Sequence, residues 1–204
     1  HQLRMLRSFK EKAEENILKG IDYLKNDGRR WPYIEAMPVA EMIVKRMKRV
    51  KGVREIFIGG SLRRKEPTIG DIDILVTADK NSRTIHEFVK QPEVERVQAE
   101  GMTKASVRFK NGIQADLRVV PEESIATALQ YFTGNKEHNV KIRIISIKQG
   151  YKLSEYGLFK RDTGRRIPLK TEKDLYNKLG MEYIPPEKRK NRGEIEEAIR
   201  KYER

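Results

Sequence analysis

Apolar residues recur at helical spacing in two early stretches. Phe9, Ala13, Ile17, Ile21 and Leu24 mark the first, with Ser8 placed as a cap and Gly28 as a stop. Met37, Ala40, Ile43, Val44 and Met47 mark the second, after the break Arg29-Arg30-Trp31-Pro32 and closed at Gly52. The period then shortens to two. Residues 53–58 and 71–77 read as strands, 82–90 as a helix, and 94–120 as extended chain folded by turns at Glu100-Gly101 and Asn111-Gly112. Pro121 suits the first turn of a helix running to about Tyr131. Thr133-Gly134-Asn135 interrupts, and a basic amphipathic helix follows to Gln149 with Val140, Ile144 and Ile147 on one face. Short strands at 151–153 and 158–160, a helix at 172–179, Pro185-Pro186 and a charged terminal helix complete the pattern. It predicts an α+β chain divided near 121–134, a strand-rich piece followed by a mostly helical one.

Composition narrows the choices. At 204 residues the chain can bury a core without staples, and it has no cysteine, which excludes disulfides and thiolate metal sites. No apolar run approaches the ~20 residues of a membrane span, so a soluble cytoplasmic protein is expected. The 44 Lys and Arg exceed the 30 Asp and Glu, for a net charge of +14. Ten of those basic residues against three acidic ones fall between 134 and 170, so half the excess lies in one segment. A polyanion, nucleic acid first, is the partner this distribution suits.

Chemistry concentrates in Gly59-Gly60-Ser61-Leu62-Arg63-Arg64 and Gly70-Asp71-Ile72-Asp73. On a strand, Asp71 and Asp73 point to the same face. Two carboxylates forced together repel unless a cation sits between them, and with Mg²⁺ the pair can handle a nucleoside triphosphate. Ser61 and neighbouring amides can donate to phosphate oxygens, Gly59, Gly60 and Gly70 allow close backbone approach, and Arg64 can pair with a terminal phosphate. Nucleotidyl transfer on two ions needs a third carboxylate. Asp116, in Gln114-Ala115-Asp116-Leu117-Arg118, is the candidate, on a strand able to lie beside the first pair; the plainer alternative is an Asp paired with Arg118.

Gly60-Ser61-Leu62-Arg63-Arg64, Gly70-Asp71-Ile72-Asp73 and Asp116 resemble the palm of the DNA polymerase X family. Tyr131-Phe132-Thr133-Gly134, with Asn139 and Arg143, resembles its nucleotide-binding helix, and Tyr156-Gly157-Leu158-Phe159 its thumb strand. The resemblance covers roughly residues 28–186 and is nearest to prokaryotic members. It implies a nucleotidyltransferase-type palm over 29–133, with a mixed sheet and flanking helices. It further implies a smaller helical/β thumb over 134–204 and a fingers-type remnant over 1–28.

Carried over by position, Asp71 and Asp73 would bind both metal ions, Mg²⁺ with Mn²⁺ as substitute. Asp116 would bind the catalytic ion and help deprotonate the primer 3′-hydroxyl. Gly60, Ser61, Arg64 and Gly70, with Arg30, would hold the triphosphate. Tyr131, Phe132 and Gly134 would lie along the incoming sugar, Lys136 near the nucleotide, Asn139 at the minor-groove edge of its base and Arg143 on the template strand. Lys141, Lys148, Lys152 and Lys160 extend the basic segment expected to grip primer-template or gapped DNA.

Some positions depart from the family pattern. Lys136 stands where the polymerase β branch carries an acidic residue, a change expected to favour dNTP binding, even before DNA. Val140 replaces a lysine, and Gln114 an arginine that positions the third aspartate. No amino-terminal lyase domain is recognised, and the chain ends where longer members continue into a nuclease domain. His86 and His138 read as ordinary polar positions. The expectation is a monomeric DNA-directed, gap-filling polymerase; a template-independent transferase and a catalytically inactive nucleic-acid-binding module are the alternatives.

Overall fold

The computed structural model describes residues 29–204, so the helix expected over 8–27 and most of the fingers-type segment lie outside the described residues. Two compact units, His1–Arg30 and Trp31–Arg204, make up the chain; the fold that follows is that of the second.

A short strand β1 (Trp31–Pro32) leads into helix α1 (Tyr33–Met47), and β2 (Val53–Ile58) follows. One helical turn, α2 (Gly60–Arg63), and β3 (Thr68–Ile69) separate β2 from β4 (Asp71–Ala78). After α3 (Thr84–Val89) come β5 (Val94–Glu100), β6 (Lys104–Phe109) and β7 (Gln114–Val119). The order β2-β4-β7-β6-β5 makes a mixed sheet, parallel only between β4 and β7.

Alternation along β4 decides what each face does. Ile72, Ile74 and Val76 are buried with Ala115 and Leu117 of β7 in a core covered by Ala36, Ala40 and Ile43 of α1 and by Ile85 and Phe88 of α3. The intervening residues Asp71, Asp73 and Leu75 take the opposite face. Leu75 is covered there by Ala128 and Leu129 of α4 (Ile125–Thr133). The cover ends before the carboxylates, which are left half-buried.

Beyond Gly134 a second core forms around α5 (Lys136–Lys148) and the sheet β10-β9-β8. These strands are β8 (Tyr151–Ser154), β9 (Gly157–Lys160) and β10 (Arg166–Ile167), followed by α6 (Glu172–Lys178) and α7 (Glu194–Tyr202). Ile142, Leu153, Leu158, Leu175, Tyr176 and Ile195 fill it. The helical period expected for α5 is right, but Val140, Ile144 and Ile147 are exposed at 41%, 48% and 51%. The buried side of α5 carries His138, Asn139 and Ser146 with Ile142. Hydrogen bonds make that polar face buriable. His138, fully buried, meets Glu194 Oε1 through Nδ1 at 2.8 Å and the Tyr176 hydroxyl through Nε2 at 2.9 Å, so it is a structural centre rather than an ordinary polar position.

The two cores are joined by a buried ion triad. Arg63 of α2 donates to both oxygens of Glu172 at 3.0 and 2.6 Å and to Thr133 Oγ1 at 2.6 Å. Arg189 donates to Glu172 Oε1 at 2.7 Å and to the Ile184 carbonyl at 2.9 Å, its guanidinium lying over Tyr176 and Tyr183. Burial pushes the Glu172 carboxyl up, but Arg63 and Arg189 outweigh it and hold it below its ordinary value. Glu172→Gln leaves two buried guanidinium groups without their counter-charge. It is expected to lower stability by about 3–5 kcal/mol in urea unfolding; a loss under about 1 kcal/mol would mean the triad is replaceable by solvent.

Candidate active site

The parallel register between β4 and β7 places Asp73 opposite Asp116 and Ile72 opposite Ala115. One oxygen from each of Asp71, Asp73 and Asp116 lies within 4.8 Å of the others. Asp73 and Asp116 are direct neighbours across the two strands, so the sheet fixes where their backbones lie. Burial first, then the charges of Asp71 and Asp116, push the Asp73 carboxyl up from 3.8 to about 7; Arg64 and Arg118 oppose this only in part. An all-oxygen donor set that resists its own ionisation fits a hard divalent cation.

Asp116 is not paired with Arg118, whose guanidinium sits 4.7 Å from the Phe132 ring centre. Its Oδ1 instead accepts from Gln114 Nε2 at 3.3 Å. Gln114 therefore keeps contact with the third carboxylate.

The small-residue turn abuts this cluster. Gly59 N–H donates to the Asp73 carbonyl at 2.8 Å, tying the turn to β4. Gly60 has φ +57°, and a Cβ there would fall 2.1 Å from Asp73 Oδ2. Only hydrogen fits. Ser61 follows in the first turn of α2, where leading amides have no intrahelical acceptor. Gly70 immediately precedes Asp71. Arg64 donates from Nη1 to the Thr133 carbonyl at 2.5 Å, and its buried Nε has no hydrogen-bond partner, with Glu66 Oε1 at 3.6 Å. Gly134, φ +72°, lies against this guanidinium; a Cβ would stand 3.2 Å from Nη1.

Tyr131 and Phe132 meet edge to face, 5.0 Å between ring centres, at the end of α4. Asn135 caps α5 by accepting from the His138 amide at 2.9 Å. Lys136 is exposed, whereas Asn139 is buried, bonded to Gln130 and to the Tyr131 carbonyl. Arg143 is exposed and lies 6.0 Å from the Tyr131 ring centre. Lys148, Lys152 and Lys160 are exposed on α5, β8 and β9. Lys141 is half-buried and pairs through its ammonium with Glu196 of α7, a solvent-exposed contact. Arg30 belongs to the first compact unit. Pattern reading missed Gln130, buried on α4, and Arg189, which is fully buried although it lies in the charge run 187–190.

No helix among the described residues is long and apolar enough to cross a membrane. The sheet, its carboxylates and the joined second core define a nucleotidyltransferase-type palm with a thumb. The DNA polymerase beta palm profile matches residues 30–123, and the DNA polymerase beta thumb profile residues 128–190. The DNA polymerase/3'-5' exonuclease PolX of Bacillus subtilis is 33% identical over 193 residues, 94% of this chain but 34% of the relative, so the chain spans about a third of that protein. Repair DNA polymerase X of African swine fever virus is 32% identical over 145 residues, 67% of this chain and 82% of the relative. The crystal structure of Leishmania infantum polymerase beta in a ternary P/T complex superposes with a TM-score of 0.73 at 25% identity, covering 90% of this chain and 84% of that one. The chain belongs to the DNA polymerase X family.

The raised Asp73 value has a consequence for stability. Between about pH 4 and 7 the native state holds a proton that the unfolded chain releases, so the metal-free fold loses stability as pH rises through that window. Asp73→Asn removes the titrating group. It is expected to flatten this decline, to raise the thermal midpoint at pH 8 and to abolish stabilisation by Mg²⁺; equal pH profiles in the two proteins would contradict the repulsion.

Proposed function

We propose that the protein is a DNA-directed DNA polymerase that adds dNMP from a dNTP to a primer 3′-hydroxyl, filling short gaps during repair. The carrying observation is the convergence of Asp71, Asp73 and Asp116 within 4.8 Å beside the Gly59–Ser61 turn, in a chain of this family. The three carboxylates would hold two Mg²⁺ ions, or Mn²⁺ in their place. When bound, the ions would make the primer hydroxyl more acidic and neutralise charge on the departing pyrophosphate.

The chain's own groups supply the rest. Asp71 and Asp73 would hold both ions against β4, where the triphosphate is to lie. The Ser61 hydroxyl, the amides of its turn, Gly70 and Arg64 bind the phosphate oxygens. Asp116 takes the primer proton: Gln114 holds Oδ1, leaving Oδ2 to receive it. Tyr131 and Phe132, with Gly134, lie along the sugar, where the backbone excludes a 2′-hydroxyl. Asn139 keeps one amide N–H for the minor-groove acceptor of the incoming base. Arg143 approaches the template strand. Lys148, Lys152 and Lys160, all exposed, hold the DNA backbone, and binding through them weakens steeply with salt. The protein acts as a monomer in the cytoplasm, beside its DNA.

Two experiments test this reading. In single-nucleotide addition to a gapped primer with Mg²⁺, the wild type is expected to add the templated dNMP, and Asp116→Ala to lose at least about 10³-fold in rate. Addition regardless of template would indicate a template-independent transferase, and none by either protein a binding module. Lys136→Ala is expected to weaken dNTP binding to the DNA-free protein several-fold in equilibrium titration; unchanged affinity would remove Lys136 from the site.

A further inference from the structure

The Asn139 carboxamide is held from both sides. Gln130, 2% exposed on α4, donates from Nε2 to Asn139 Oδ1 at 2.7 Å. Asn139 Nδ2 donates to the Tyr131 carbonyl, also at 2.7 Å. A main-chain carbonyl only accepts, so it identifies the amide end facing it as nitrogen. The Gln130 donor identifies the other end as oxygen. Both partners demand the same orientation. Asparagine has two N–H donors and one is engaged, so the group left for a ligand is the second N–H.

The two residues sit on helices that pack into different cores. α4 packs through Ala128 and Leu129 onto Leu75 of the large sheet, whereas α5 contributes Ile142 to the second core. The Gln130–Asn139 bond therefore crosses the turn at Gly134, where α4 ends and α5 begins. Without its donor, the Asn139 oxygen would be a buried acceptor with no partner. That would favour rotation of the amide toward another donor.

We infer that Gln130 is a positioning residue that turns Asn139 into a donor-only probe of the incoming base. The inference rests on the polymerase reading above. Correctly paired bases present an acceptor on the minor-groove edge, N3 of a purine or O2 of a pyrimidine. A probe restricted to donation is indifferent to which base enters, yet sensitive to whether the acceptor arrives where a Watson–Crick pair would put it. Gln130 thereby contributes to selection without touching the substrate.

The test compares dATP with 3-deaza-dATP, which carries C–H in place of purine N3, opposite template T in gapped DNA. kcat/KM is measured for the wild type, Asn139→Ala and Gln130→Leu, at a temperature below every thermal midpoint. The wild type is expected to prefer dATP about tenfold or more, the worth of one lost hydrogen bond. Both variants should reduce that preference to about twofold or less. A Gln130→Leu enzyme that is slower with both nucleotides but keeps the wild-type ratio has lost only structure, and the inference falls. It falls equally if the wild type inserts both nucleotides alike, which leaves the polymerase reading intact. Failure of the wild type to insert even dATP would remove both readings together. If Gln130→Leu does not fold, the same ratio in Gln130→Met decides.

Discussion

Three carboxylates held within 4.8 Å are the constraint on which the remainder of this fold depends. Burial, and then the like charges of Asp71 and Asp116, push the Asp73 carboxyl up to about 7. They stay together because their backbones cannot move: β4 and β7 pair in register, and the reverse face of both strands is locked under α1 and α3 by Ile72, Ile74, Val76, Ala115 and Leu117. The apolar core thus holds an electrostatically unfavourable arrangement ready for a cation. Arg64 and Arg118 relieve part of the repulsion, and neither forms a direct ion pair that would occupy the carboxylates.

Two adjacent arginines divide the task of connecting this centre to the second core. Arg63 turns into the triad with Glu172 and Arg189, while Arg64 reaches under Gly134 to the Thr133 carbonyl. A single helical turn therefore anchors both the small-residue loop and the joint between cores. The polar chain continues through Tyr176, over which Arg189 lies, to His138 and then to Glu194 at the start of α7. Burial lowers the His138 imidazole below its ordinary value, with Glu194 opposing. A neutral ring at pH 7 then donates to Glu194 through Nδ1 and accepts from Tyr176 at Nε2.

Local signals made the large sheet legible. Alternation marked β2 and β4, Asn111-Gly112 marked the β6–β7 turn, and the Asp-x-Asp spacing put two carboxylates on one face before any pairing was known. The third was not decidable in the same way. Whether Asp116 lies beside Asp73 depends on which strands become neighbours, a contact across more than forty residues that no local pattern encodes. On α5 the period was readable and the buried face was not, because burial there follows hydrogen-bond partners supplied by Gln130, Tyr176 and Glu194 from distant positions. Arg189 escaped notice for the same reason: a cation within a charge run signals a solvated surface unless its acceptor is known.

The contact between Gly60 and Asp73 carries an evolutionary implication. The space between the turn and the carboxylate admits a hydrogen atom and nothing larger, since a methyl group would sit 2.1 Å from Asp73 Oδ2. Position 60 and the Asp73 carboxylate are therefore coupled: the aspartate keeps this rotamer only while the residue at position 60 stays bare. A descendant that acquires a side chain there must turn the Asp73 carboxylate aside, a change its sequence would record even with all three aspartates still in place.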